Sequence, residues 1–303
     1  MAPVRIGTRG SALALAQTHI IAAALEQLGA DPEIVRIRTS GDERRGGKQE
    51  LTDKSRFVKE IEEALLAGEI DLAVHSAKDV PGELPDGLAI VAVPERADPR
   101  DALCGAADLA ALAEGAAVGT SSLRRRAQLL AVRPDLRVEE LRGNVDTRLR
   151  RLAEGGYDAV VLAGAGLARL DRASEGEAID PALLTPAPGQ GCLALEAKTG
   201  DEDIAQLAAK LTHYESLLCL TAERALVAEL DATCRTPVGA HAHIDNGRMT
   251  LDAFVGLPDG STWIRDSFSG DPKEPAKLGL EAATRLRAVG ADDLLKQAEL
   301  AAQ

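Results

Sequence analysis

Nine arginines stand between Thr120 and Arg151, against four acids, in a chain whose formal net charge is −13. A basic block inside an acidic protein points to one specific anionic ligand rather than to a polyanion-coating surface. The overall acidity argues against a general nucleic-acid binder, which needs basic surface to release counterions. Arginine's planar fork grips carboxylate or phosphate bidentately, so several arginines in one pocket imply a ligand with several such groups. In GTSSLRRR (Gly119–Arg126) the consecutive Arg124, Arg125 and Arg126 cannot share one helix face, so at most one or two of them face a common ligand. Ser121 and Ser122 open that helix, and a helix N-terminus suits an anion. LRGNVDTRL (Leu141–Leu149) adds Arg142 and Arg148 around Gly143, where the backbone can come close to a ligand. Each of these stretches, taken alone, also reads as a capped and solvated helix.

HSAKDVP (His75–Pro81) sets Lys78 and Asp79 just after an apolar strand. The pair reads either as a capping loop with a local ion pair or as a site. A carboxylate placed there can act as a general acid or stabilise a cation, if burial and neighbours tune it. Cys234 has loop neighbours (Thr233, Arg235, Thr236, Pro237), so its thiolate is a candidate nucleophile or attachment point. Cys104, Cys192 and Cys219 sit among apolar residues and read as structural. The four cysteines have no metal-like spacing. His241 and His243 share one face of a strand, but no third ligand has convincing spacing, and no metal is expected.

The elements that must position these residues alternate. Val4–Ile6, Ile34–Arg38, Ile70–His75 and Leu88–Val93 read as strands. Helices are expected over Ala12–Leu28, capped by Ser11 and closed by Gly29, and over Phe57–Ala67, which stops at Gly68. After PERADPRDA (Pro94–Ala102), read as a linker or hinge, the pattern restarts. Ala117–Gly119, Val138–Leu141 and Tyr157–Ala163 are strand-like, and Leu123–Val132 and Asn144–Ala153 are helical. The alternation argues for doubly wound, largely parallel sheets, whose ligands bind in loops beyond the carboxyl ends of strands. TPAPGQGC (Thr185–Cys192) reads as a linker or hinge. Ile204–Leu230 is mainly helical, and three strands follow near Val238–Ile244, Met249–Val255 and Thr262–Phe268. Asn246-Gly247 and Pro258-Asp259-Gly260 are hairpin turns between those strands, and a helical tail closes this α+β module.

With 303 residues, two or three domains are expected. No apolar run approaches the roughly 18 residues of a membrane span. MAPVRIGTRGSALALAQ mixes Arg5, Arg9 and Gln17 among its apolar residues, which suits a strand and helix better than a signal peptide. A cytoplasmic protein with reduced thiols is the expectation.

In order and content these pieces resemble the porphobilinogen deaminase (hydroxymethylbilane synthase) family along nearly the whole chain. The matching stretches are IGTRGSALALAQ, FVKEIEEALL, DLAVHSAKDVP, ERADPRDA, VGTSSLRRRAQL, LRGNVDTRL, YDAVVLAGAGLARL, PAPGQGCLALE, TAERAL and the Cys234 loop. The resemblance implies two similar α/β lobes like those of periplasmic binding proteins, 1–94 with 192–210 and 99–187. A small α+β domain with a three-stranded antiparallel sheet would follow over 214–303. It also implies an enzyme that joins four porphobilinogen molecules head to tail onto a dipyrromethane primer held by a thioether on Cys234. Ammonia is released at each addition, and hydrolysis then frees hydroxymethylbilane for tetrapyrrole and haem biosynthesis. Asp79 matches the catalytic carboxylate. Arg9, Arg124, Arg125, Arg142, Arg148 and Arg169 match carboxylate-binding arginines, and Lys78 a binding lysine. Ser121, Ser122 and the amides near Gly143 would add hydrogen bonds. Arg126, Arg133, Arg137, Arg150 and Arg151 are then solvated helix or edge residues.

One departure stands out. LTDKSRF (Leu51–Phe57) replaces the family's VGGKGLF form; it keeps Lys54 in the lysine's place and also Phe57, but lacks the paired glycines. The loop is expected to be a mobile lid, with polar Asp42–Lys48 disordered beside it. The expected partner is the small-molecule substrate alone, with no nucleic acid, no membrane and a monomeric chain. A non-catalytic anion-binding protein on the same lobes is the competing reading, but it would need an export signal and would have no use for Asp79 or a loop cysteine.

Overall fold

A computed structural model of the chain describes residues 3–38, 58–232 and 236–301. Lys54, the rest of the expected lid, Asp42–Lys48 and Cys234 lie outside the described residues. In chain order the elements are β1 (Val4–Arg9), α1 (Ala12–Gln27), β2 (Pro32–Ile37), α2 (Lys59–Ala67), β3 (Leu72–Ser76), β4 (Leu88–Ala92), β5 (Asp101–Cys104), β6 (Ala117–Gly119) and α3 (Leu123–Val132). They continue with β7 (Arg137–Glu139), α4 (Val145–Ala153), β8 (Ala159–Ala163), α5 (Gly164–Ala168), β9 (Glu177–Ala178), β10 (Leu193–Lys198), α6 (Glu202–Ala209) and α7 (Tyr214–Glu229). The last are β11 (Val238–Asp245), β12 (Arg248–Gly256), β13 (Trp263–Gly270), α8 (Pro275–Ala288) and α9 (Ala291–Ala301).

The chain divides into two compact units, one of Met1–Ala97 with Cys192–Leu217 and one of Asp98–Gly191 with Leu218–Gln303. The first unit holds a five-stranded sheet in the order β2-β1-β3-β10-β4. Strands β1, β2 and β3 run parallel, while β10 is antiparallel to both of its neighbours. Alternate residues of one strand point to opposite faces. Ile6, Leu72, Val74, Leu193 and Leu195 therefore pack on Ile21 and Leu25 of α1. Ala73 turns the other way, toward Ile61 and Leu65 of α2. Gly68, at φ 73°, closes α2 in the left-handed conformation expected of it.

The second unit repeats the plan as β7-β6-β8-β5-β9. Here β6, β7 and β8 are parallel and β5 is the antiparallel member. In each sheet the antiparallel strand is fourth in the order and follows a passage of the chain from one unit to the other. The same unit carries the antiparallel sheet β11-β12-β13. Its apolar face (Ala240, Ala242, Leu251, Ala253, Val255, Phe268) packs on Leu226, Ala282, Leu286 and Leu295. Asn246 and Gly247 both have positive φ, 49° and 75°, as a two-residue type I′ hairpin requires.

Some elements differ from the sequence expectation. The stretch read as a hinge, Pro94–Ala102, ends inside β5, because Asp101 and Ala102 pair with Ala163 and Leu162 of β8. β10 follows directly on the linker over Thr185–Cys192; its LALEAK sequence is buried on both faces and so lacks an amphipathic alternation. Ile204–Leu230, read as mainly helical, is built from two helices with a break between Ala209 and Tyr214. No helix among the described residues is long and apolar enough to cross a membrane.

Candidate active site

In the first unit, Arg9 is the last residue of β1, and Lys78 and Asp79 lie in a single 3-10 turn, Ala77–Asp79, after β3. Because β1 and β3 are adjacent and parallel, both groups emerge at the carboxyl end of the sheet. Ser11 caps α1, its hydroxyl accepting the Ala14 N–H. Gln17 Nε2 donates to Ser76 Oγ at 2.8 Å and ties α1 to the end of β3. The Ala77 N–H donates to the Cys192 carbonyl and anchors the turn to the start of β10. Lys78 and Asp79 are half-buried.

Beneath this turn lies a polar cluster that the sequence did not announce. His75 Nε2 and Glu196 Oε2 meet at 2.9 Å, both side chains almost completely buried. Buried Glu62 is close enough to interact electrostatically with both, and its carboxyl is pushed up by burial and then by the charge of Glu196. His75 belongs to the HSAKDVP motif, but its partner is 121 residues away, where Glu196 reads as one polar residue in an apolar strand.

In the second unit, Ser122 caps α3, its hydroxyl accepting the Arg125 N–H, and Thr120 Oγ1 accepts the Ser122 N–H. Arg148 Nη2 donates to Ser121 Oγ at 3.0 Å, and its Nε to the Gly143 carbonyl at 2.9 Å. Gly143 sits at φ 115°, which disfavours a side chain, and an added Cβ would lie 2.8 Å from Thr147 Cγ2. Burial and the charge of Arg125 push the Arg148 guanidinium down to about 10, still cationic at neutral pH. Arg142 is exposed and paired with Glu140 at 2.7 Å. Ser121, Arg142, Gly143 and Arg148 thus gather at the mouth of α3.

Arg124 and Arg125 are placed differently from their neighbours. Arg124 Nη2 donates to Asp101 Oδ2 at 2.8 Å and Nη1 to the Thr185 carbonyl. Arg125 Nε and Nη2 donate to Asp101 Oδ1, and Nη1 to the Val161 carbonyl. Gln190 Nε2 adds a bond to Asp101 at 2.9 Å. Burial alone would raise the Asp101 carboxyl, but the two guanidinium charges and the donated hydrogen bonds hold it at about 2. Arg169 Nη2 donates to the Gly191 carbonyl, so the 185–191 segment is held from several sides. Glu223 completes this anchoring, accepting the Gly189 and Ala242 N–H groups. Neither Asp101 nor Glu223 was singled out as a functional residue by its sequence. Their quoted motifs, ERADPRDA and TAERAL, were the available signal. Arg126, expected to be solvated, is half-buried and donates to the Val138 carbonyl. Cys104, Cys192 and Cys219 are buried, and burial pushes the Cys104 thiol up to about 11, away from reactive thiolate.

The family models agree with this layout. Residues 4–206 match "Porphobilinogen deaminase, dipyromethane cofactor binding domain", and residues 217–288 match the C-terminal domain of the same family. The chain belongs to the porphobilinogen deaminase family. A porphobilinogen deaminase from Deinococcus radiodurans is 48% identical, the match covering 98% of this chain and 99% of that one. One from Thermus thermophilus is also 48% identical over 98% and 99% of the two chains. That of Geobacter metallireducens is 44% identical over 98% and 96%. A periplasmic substrate-binding protein from Coxiella burnetii is 16% identical over 68% of this chain and 90% of its own, with TM-score 0.42.

A dipyrromethane, the cofactor of the porphobilinogen deaminase family, carries acetate and propionate side chains. The donors at the mouth of α3 suit such a group: a cationic Arg148, the exposed guanidinium of Arg142 and the Ser121 hydroxyl. Arginine forks and hydroxyls are the donors that carboxylates select.

Proposed function

We propose that this chain is a porphobilinogen deaminase in which Asp79 is the catalytic carboxylate and Cys234 carries the primer. Four porphobilinogen molecules are joined head to tail, each addition releasing ammonia, and water then frees hydroxymethylbilane. The observation that carries this reading is the match to enzymes of that name across nearly the full length of both chains.

The residues divide into holding and reacting groups. Arg9, Lys54, Lys78, Arg142, Arg148 and Arg169 hold carboxylates of the growing product, with Ser121, Ser122 and the Gly143 backbone adding hydrogen bonds. Arg124 and Arg125 act in the same region while anchored to Asp101. The bound dipyrromethane supplies the pyrrole carbon onto which the first ring is joined. Asp79 delivers a proton toward the departing amine and then, as carboxylate, faces the cation left on the substrate. The half-buried 3-10 turn suits that task, since charge is stabilised more strongly where water is partly excluded. The cofactor-carrying domain spans 214–303 and the lobes span 1–94 with 192–210 and 99–187. The chain works as a monomer in the cytoplasm.

Intact mass and turnover test the reading together. The purified protein should exceed its sequence mass by one dipyrromethane and consume porphobilinogen. Cys234→Ser should lose both the increment and the activity. A protein that carries the increment yet leaves porphobilinogen untouched would overturn the proposed function, and a wild-type increment retained in Cys234→Ser would overturn the attachment site.

A further inference from the structure

The sequence offers His241 and His243 on one face of a strand without a third ligand. The sheet supplies it. In the antiparallel register of β11 and β12, His241 stands opposite Asp252. Opposed residues on one face of a strand pair bring their side chains together. The two imidazoles stack with centroids 5.7 Å apart and planes inclined by 27°. The candidate ligand atoms of His241, His243 and Asp252 all lie within 4.8 Å of one another. His243 Nδ1 and Asp252 Oδ2 are 3.9 Å apart, beyond hydrogen-bond range, so the carboxylate and that ring face each other without a direct bond.

We propose that His241, His243 and Asp252 form a binding site for a divalent transition-metal ion of the zinc class. Two imidazoles and one carboxylate are a borderline donor set, suited to Zn2+ and its neighbours rather than to Mg2+ or Ca2+, which take oxygen ligands. Metal–ligand bonds of about 2.0–2.2 Å place tetrahedral ligand atoms roughly 3.3 Å apart. The ligand atoms, now up to 4.8 Å apart, therefore have to close by up to about 1.5 Å. His243 is half-exposed and Asp252 about a third exposed, so both have room to turn. Water fills the remaining coordination position.

The charge around the site is mixed. Asp98 lies close enough to His241 for the two to interact electrostatically, although its main partner is Arg100. Arg265, on neighbouring β13, is a cation close enough to interact electrostatically with Asp252. Its guanidinium is turned to the carbonyls of Ala182 and Leu183 and to Gln128 Oε1. The site lies on the sheet face opposite the apolar core, where a bound ion would pin β11 to β12. None of its ligands belongs to the groups assigned to porphobilinogen chemistry.

The test uses the full-length enzyme, stripped with a chelator and titrated with Zn2+ against a chromophoric competitor. About one Zn2+ per chain should bind, with a rise in thermal midpoint, and both effects should vanish in His243→Ala and in Asp252→Asn. Porphobilinogen turnover of the two variants, measured without metal, should match that of the wild type and show that they fold. Co2+ in place of Zn2+ should give visible d–d absorption without a thiolate charge-transfer band. Absence of stoichiometric binding, unchanged binding in both variants, or a thiolate band that places the ion on a cysteine would each overturn the proposal.

Discussion

Asp101 accepts Arg124 at 2.8 Å in a site where the carboxylate is fully buried and the guanidinium is 5% exposed. With Arg125 bound to the other carboxylate oxygen, one anion stands between two cations at the head of β5. Desolvating three charges is expensive, and the arrangement is supported by the carbonyls of Thr185 and Val161, which accept one Nη1–H of each guanidinium, while buried Arg124 Nε finds no acceptor. The relationship turns part of the arginine block inward, so charge density in the sequence overstates what faces a ligand.

Asp101→Asn should be severely destabilising. It leaves two buried guanidiniums facing a neutral amide, and breaking such a pair costs about 3–5 kcal/mol. Urea unfolding followed by circular dichroism measures this. A loss below about 1 kcal/mol would show that the cluster is structurally dispensable.

The same carboxylate sets an acid limit. Its folded-state pKa, about 2, lies below the ordinary 3.8, so the folded state binds the proton less readily than the unfolded chain. Its contribution, about 2 kcal/mol, is fully present above pH 4 and is lost as pH falls toward 2. Unfolding free energy measured between pH 5 and pH 2 should fall more steeply in the wild type than in Asp101→Asn.

Glu62 predicts the opposite slope. Its carboxyl is raised, first by burial and then by Glu196, so the folded state holds that proton more tightly than the unfolded chain does. Stability contributed by the protonated form is present below the ordinary value of 4.5 and declines as pH rises through the folded one. Glu62→Gln should remove that decline. The readout is the thermal midpoint from pH 5 to pH 8, and parallel curves for variant and wild type would contradict the assignment.

Arg148→Lys keeps a positive charge but loses the fork that reaches both Gly143 and Ser121. Hydrogen bonds to charged groups contribute about 1.5–3 kcal/mol, so KM for porphobilinogen should rise roughly tenfold to a hundredfold. The thermal midpoint should change little, because Arg148 is only half-buried and the lysine keeps its positive charge. Steady-state kinetics that leave KM unchanged would remove Arg148 from the binding set.

Asp79→Asn should separate binding from chemistry. The amide nearly preserves shape but can neither deliver the proton nor carry the charge, and turnover should fall about a hundredfold or more. The intact-mass increment of bound primer should persist. Full activity in this variant would require another residue as the acid.

Much of the architecture was legible in local sequence. The caps at Ser11, Ser122 and Asn144 were each foreshadowed by a short polar side chain before a helical pattern, and each accepts a hydrogen bond from the following turn. The turn at Asn246-Gly247 was readable because few other residues tolerate its two positive φ angles. The strand β10 was not readable, since burial on both faces erases the alternation that marks a half-exposed strand.

The amino-acid sequence by itself determined the family, the order of the elements and the residue types available for chemistry. These depend on short-range backbone preference and on motifs whose spacing is visible along the chain. Tertiary structure decided the partners: Arg124 and Arg125 with Asp101, His75 with Glu196 across 121 residues, and Asp252 opposite His241. Partner choice follows from strand register and from the desolvation of groups that folding buries together, and both exist only once distant segments have packed.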